Sequence, residues 1–296
     1  MNENEKDIIH KLKRESVKIN PRKEFSIELE EKLTQRFSGK GRKNRSGILL
    51  TCSFASLLFF ILLISSDVLP MMGQATITND PEILIYHTHT SESFSPELEG
   101  LVRGSDRPDN AFHDEVNVTK VGEFLRGQLE EKGVGVIHDK TNFQEQLVEK
   151  NLNYEHSYEL SRDMVNDILS ENDQIKIMFD IHRDSLDRSK TTTTINDDEV
   201  AQIVFTISSE DHNCADNRKF AETLHERAEV KYPGLSRGVL CRKNELGNIE
   251  NYNQDLLDQS VLIEIGGYQN TFDELNQATE YLAEIVAEFL KEEKTS

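Results

Sequence analysis

Between residues 82 and 291, short continuous apolar runs alternate with stretches in which apolar residues recur every three or four positions. Continuous runs of four to eight read as buried strands, and the three-to-four recurrence reads as one face of a helix. Residues 81–86 (PEILIY) predict a strand. Val118, Val121, Leu125 and Leu129 predict a helix, with Gly133 where a helix-ending glycine belongs. The pattern then gives a short strand at 135–137, a helix at 158–169 and a strand at 174–181. A polar turn or loop at 190–198 follows, then a strand at 200–208, a helix at 213–230 ahead of Pro233, and a strand at 260–265. Thr271 and Glu274 form a capping box that opens a last helix, running to about Lys291. Alternating strands and helices predict an α/β fold: a mainly parallel sheet with helices on both faces. Sheets of that kind carry their working sites beyond the carboxyl ends of the strands.

One apolar run is of another kind. Residues 46–66 (SGILLTCSFASLLFFILLISS) hold no charge over 21 positions, and about 20 apolar residues carry a helix across a bilayer. The basic run GKGRKNR immediately precedes it, and basic flanks stay in the cytoplasm. The expected organisation is a cytoplasmic tail at 1–45, one transmembrane helix at 46–66, a linker at 67–81 and an extracytoplasmic domain at 82–293. The protein is thus expected in the cell membrane as a single-pass protein, anchored in the cytoplasmic membrane. A cleaved signal peptide fits less well, because its basic n-region is far shorter than 45 residues.

Charge sharpens this division. The first 45 residues carry 13 basic and 8 acidic side chains, leaving 21 basic against 46 acidic in the remainder. So acidic a domain argues against nucleic acid as a partner, since that binding neutralises phosphates with Lys and Arg. Of three cysteines, Cys52 lies in the apolar run. Cys214 and Cys241 lack the CxxC spacing of a thiolate metal site and read as core-packed thiols, with a disulfide between them as the less favoured alternative.

The chemistry-bearing residues gather near strands. His87 and His89 follow the first strand, His182 follows IKIMFDI, Glu264 stands in VLIEIG, and Glu115 precedes the first long helix. An ionisable group in apolar surroundings is costly unless paired or bound to metal, and His182 and Glu264 are so placed. Catalytic zinc takes three His or carboxylate ligands and leaves a fourth position for water, while a further carboxylate takes the proton. Two histidines, one ligand glutamate and one glutamate base fill these roles. No G-x-S-x-G elbow supports a serine nucleophile, and neither cysteine has a motif around it. Arg183 and Asp184 adjoin a ligand position and are expected to orient the site or touch substrate. Asn253, Gln254 and Asp255 form a polar loop ahead of the Glu264 strand, a further place for substrate contact; Tyr252 beside them reads equally as core.

The segments ILIYHTHTSESF, HDEVNVTKVG, FDIHRDS, GLSRGV, NYNQDLL and VLIEIGGYQN occur in an order that resembles the stage II sporulation protein P family, over about residues 82–290. That family is similar in turn to the zinc-dependent N-acetylmuramoyl-L-alanine amidases. The resemblance implies Zn2+ held by His89, Glu115 and His182, with Glu264 as catalytic base and His87 as the rival of His89. It also implies hydrolysis of peptidoglycan, with endopeptidase action on cross-links as a further activity, in septal wall during engulfment. Sporulation proteins D and M would be the partners. The alternative function is an ectodomain that grips peptidoglycan or a partner without turnover.

Overall fold

In a computed structural model of the chain, residues 80–295 are described, apart from 103, 105, 210–212 and 243–250. They fall in one compact unit. The tail, the apolar run at 46–66 and nearly all of the linker lie outside the described residues. Among those described, no helix is long and apolar enough to cross a membrane.

The main sheet has six strands: β1 (Ile83–Tyr86), β2 (Val136–His138), β3 (Ile177–Asp184), β6 (Ile203–Ser208), β7 (Ser236–Arg242) and β8 (Ser260–Gly267). Their order across the sheet is β2-β1-β3-β8-β6-β7. β2, β1, β3 and β8 run parallel. β6 pairs antiparallel to β8 and parallel to β7, so the sheet is mainly parallel with one reversed edge pair. The expected strand at 200–208 breaks at Gln202. The polar stretch before it forms a helical turn, Arg188–Thr191, and a hairpin of β4 (Thr192–Ile195) and β5 (Asp198–Ala201). That hairpin turns on Asn196 and Asp197, both at positive φ, as Asn and Asp tolerate better than other side chains. The hydrophobic pattern does not give β7: SRGVLCR alternates too little in polarity to stand out, and its second half is exposed.

The long helices are α1 (Thr119–Glu131), α3 (Ser157–Glu171), α5 (Cys214–Lys231) and α6 (Phe272–Glu293). A short α2, Phe143–Glu149, precedes α3, and the turn at Arg188–Thr191 counts as α4. Gly133 stands at positive φ just past α1, and Thr271 and Glu274 make the expected capping box on α6.

The helices cover the two faces unequally, and this creates the site. Successive strand side chains point to opposite faces. Ile83, Ile85, Phe179, Ile181, Ile263 and Ile265 join α1, α5 and α6 in one large apolar cluster. Each such fully buried side chain stabilises the fold by roughly 1.5–3 kcal/mol. On the other face Leu84, Tyr86 and Met178 pack against α3, Ile137, Ile175 and the segment before β8. Further along that face the strands carry Asp180, His182, Leu262 and Glu264, at matching registers: Asp180 pairs with Leu262 and His182 with Glu264. His182 therefore lies inside β3 rather than just beyond its end, a correction to the expected placement, while Glu264 lies within β8, as its place in VLIEIG implied.

His87 points to the α1 side. Its Nδ1 donates to the Ile181 carbonyl at 3.0 Å and its Nε2 lies 2.8 Å from His138 Nε2. Burial holds the two rings down at about 4 and about 2, so both are neutral and His138 donates to His87. A Cβ on Gly122 of α1 would come within 2.6 Å of both rings. Gly122→Ala gains about 1 kcal/mol in helix propensity but must displace packed rings, at about 1–3 kcal/mol. It is expected to lower the melting temperature. Gly127→Ala in the same helix, where an added Cβ meets nothing within 4 Å, is expected to raise it; thermal melts of the two variants decide.

Candidate metal centre

β1 ends at Tyr86, and the chain turns through Thr88 to His89. The amide of Glu92 donates to the His89 carbonyl at 3.1 Å, which closes a turn and sets both side chains on the same side. The segment before α1 fixes this turn from behind. Glu92 bridges Phe112, Ser93 N–H donates to the Ala111 carbonyl, His113 N–H to that of Ser91, and Val118 N–H to that of Glu92. From β3, His182 meets the turn.

His89, Glu92 and His182 each offer a ligand atom, all within 4.8 Å of one another. Nδ1 of His89 is 3.8 Å from Glu92 Oε1, and Nδ1 of His182 is 3.4 Å from Glu92 Oε2. The Arg183 amide also donates to Glu92 Oε2 at 3.1 Å. The two imidazoles meet edge to face at 4.9 Å, and Tyr154 stacks on the outer face of His89 at 4.4 Å.

Electrostatics separates these groups. Burial, together with the nearby His182, pushes His89 down to about 4, leaving it neutral and able to donate a lone pair. Burial opposes charge on Glu92 as well, but His182 outweighs it and holds Glu92 at about 2. His182, also penalised by burial, is raised to about 10 by Asp180 and Glu92. A cation thus sits between two carboxylates. Two nitrogens and one carboxylate oxygen within this span are the donor set that zinc-like ions accept, and such an ion would displace a proton from His182.

The same group lines a cavity of about 280 Å³, together with Tyr158, Arg183, Arg242, Tyr252, Leu262 and Glu264. Burial, then the charge of Asp184, pushes the Glu264 carboxyl up to about 7. Its Oε1 lies 3.5 Å from Arg242 Nη2, and its Oε2 is buried without a hydrogen-bond partner among the described residues.

A sequence profile of stage II sporulation protein P matches residues 1–287. The chain belongs to that family. Stage II sporulation protein P of Bacillus subtilis (strain 168) is 41% identical over 212 residues, which is 71% of this chain and 52% of the relative. The chain therefore spans about half the length of the curated relative it matches. Among solved structures, the CwlD amidase from Clostridioides difficile in complex with the GerS lipoprotein is similar at 16% identity and a TM-score of 0.45, over 71% of this chain and 97% of that one. A metallo-carboxypeptidase from Burkholderia cenocepacia is similar at 12% identity and a TM-score of 0.41, over 76% and 60%.

The structure brings together His89, His182 and Glu264 of the residues expected at the site. It does not bring Glu115 there. That side chain is exposed, and its segment is used to brace the turn, its amide donating to His113 Nδ1. Glu92 takes the position instead. Its signal was the three-residue spacing from His89 within one turn, in HTHTSE. His87, the rival ligand, is excluded from the group by its orientation towards α1. Arg183 is buried and donates to the carbonyls of Ala111 and Asp184, so its guanidinium braces the loop. Asp184 accepts from Arg237 at 2.5 Å, and its charge helps to raise Glu264.

In the loop before β8, where substrate contact was expected, the polar side chains are bonded within the protein. Asn253 donates to Ser161, Gln254 accepts from Ser208 N–H and donates to the Thr206 carbonyl, and Asp255 pairs with Arg162. Tyr252, by contrast, does line the cavity. The group makes a direct prediction. Titration of Co2+ into the full chain, followed by its visible spectrum, is expected to show binding lost in Glu92→Gln and His182→Ala. The loss should exceed the roughly 10–100-fold that follows changes behind a ligand, and Glu115→Gln should match the wild type.

Proposed function

We propose that this chain is a zinc-dependent hydrolase of cell-wall peptidoglycan, an N-acetylmuramoyl-L-alanine amidase acting outside the cytoplasmic membrane during sporulation. The observation that carries the reading is Glu264: a largely buried carboxylate raised to about 7 in the same cavity as a His-Glu-His group. A pKa near neutrality suits a group that must both accept and return a proton, and perturbed groups of this kind cluster at functional sites. Membership of a sporulation family supports the setting, and the uncharged run at 46–66 with its basic flank supports the anchor. Sporulation proteins D and M are the proposed partners.

His89, Glu92 and His182 would hold the zinc. The chemistry supplied by zinc at such a site is polarisation of an amide carbonyl and acidification of water. Glu264 takes the proton of the attacking water and delivers it to the departing amine of L-alanine. Arg242, half exposed and beside Glu264, opposes the upward push that burial and Asp184 give the base. Tyr158 and Tyr252 wall the cavity on the His89 side. The buried Arg183 backbone N–H orients Glu92.

The full chain in detergent is incubated with purified peptidoglycan and the released fragments are identified by mass spectrometry. Stem peptides beginning with L-alanine are expected, their release abolished by a chelator and restored by Zn2+. Glu264→Gln should retain zinc while turnover falls by about 10²–10⁴-fold, the usual contribution of a general base. Fragments cut only within the stem peptides would replace the amidase with an endopeptidase. Wall bound equally by wild type and Glu264→Gln, with no fragments from either, would replace it with the binding ectodomain.

A further inference from the structure

We propose that Asp180 is the positioning residue of the metal centre, one carboxylate that holds both histidine-bearing segments and assigns Nδ1 of His182 to the metal. The inference rests on the metal-centre reading above. Asp180 precedes His182 by two residues on β3, so both emerge on the same face of the sheet. It is 2% exposed. Its Oδ1 accepts from the Thr88 amide at 2.9 Å, and Nε2 of His182 lies 3.0 Å from the same oxygen. Thr88 immediately precedes His89. One oxygen atom therefore meets the segment that carries the first histidine and the ring of the second.

The two nitrogens of the His182 ring face different carboxylates. Nε2 faces Asp180, and Nδ1 faces Glu92 within the ligand group. A ring nitrogen held against a carboxylate outside the group keeps its proton, which leaves the opposite nitrogen its lone pair; this arrangement also orients the ring and raises its basicity. Asp180 Oδ2 and His182 Nε2 are both buried without an aligned hydrogen bond among the described residues, so the 3.0 Å approach of Nε2 to Oδ1 is an ion-pair contact, and leaving either group unpaired there is costly. A side chain serving only to satisfy the Thr88 amide would need neither the full charge nor the contact with His182. The hold on Thr88 extends outward: its hydroxyl donates to Ser161 of α3, and Asn253 donates to that same Ser161 oxygen. Asp180 thus anchors the His89 turn to a hydrogen-bonded frame that includes the loop ahead of the Glu264 strand.

The test measures Zn2+ affinity of the full chain in detergent by competition with a chromophoric chelator. Asp180→Ala is expected to weaken zinc by about 10–100-fold. Asp180→Asn, whose carbonyl still accepts from Thr88 but no longer sets a charge against Nε2, should recover part of that loss and stay weaker than wild type. In 15N-histidine-labelled protein loaded with 113Cd2+, His182 should couple to cadmium through Nδ1 while Nε2 carries a proton. Unchanged zinc affinity in Asp180→Asn with a lowered melting temperature marks a structural role and overturns the proposal, as does coupling through Nε2. Should Asp180→Ala fail to fold, the Asn variant and the coupling decide by themselves. A wild-type chain that takes up no zinc fails the metal-centre reading and this inference with it; failure of Asp180 alone is distinct, because wild type then binds zinc tightly and His182→Ala does not.

Discussion

The parallel pairing of β3 with β8 at the middle of the sheet is the constraint on which the site depends. Its register sets Asp180 opposite Leu262 and His182 opposite Glu264. Because strand side chains alternate, all four then share one face. A slip of one residue would send His182 and Glu264 into the apolar cluster beneath α1, α5 and α6, where Phe179, Ile181, Ile263 and Ile265 now pack. The core thus enforces the register, and the register delivers the chemistry. The eight residues of β3 are all buried although four of them are Asp, His, Arg and Asp, an arrangement that holds only because each meets a partner across the sheet or from the loops above.

Uneven coverage does the rest. Three long helices close one face, whereas α3 covers only the β1 and β3 side of the other. The remaining polar strip would be exposed sheet, and in this protein it becomes the floor of the cavity. Its walls are the His89 turn, the tyrosines of the α3 region and the loop before β8. The reversed pair β6 and β7 contributes Thr206 and Arg242 to that wall, so the departure from an all-parallel sheet matters to the site as well as to the topology. The proposed metal centre and its base are both products of this one uncovered strip. Charges within it are graded by their surroundings: Glu92 is held ionised by the buried His182, while Glu264, whose neighbour Arg242 is half exposed, is pushed up towards neutrality.

Much of this was legible from the chain itself. Apolar periodicity located β1, β3, β8 and the four long helices, because each buries a continuous run or a regular stripe, and the capping box at Thr271 and Glu274 marked the start of α6 in local chemistry. The histidine after β1, the histidine in FDIH and the glutamate in VLIE were readable as candidates, since polar groups in such apolar settings demand compensation. β7 and the β4–β5 hairpin were not readable, because edge strands with exposed halves carry no strong pattern.

The choice among similar side chains was made by tertiary structure alone. Glu92 and Glu115 are both glutamates in polar loops, separated locally only by the three-residue spacing of Glu92 from His89. Backbone pairing between their two segments turns Glu92 towards His182 and leaves Glu115 in solvent. His87 and His89 differ by two positions, yet one seals against Gly122 of α1 and the other faces the cavity, because the chain leaves its strand conformation between them. The sequence by itself therefore determined the elements and the stock of groups available for chemistry, since those follow from hydrophobic pattern and residue type. Which of those groups meet within a few ångströms is a matter of register, helix coverage and loop bracing between segments distant in the chain, and only the folded sheet decides it.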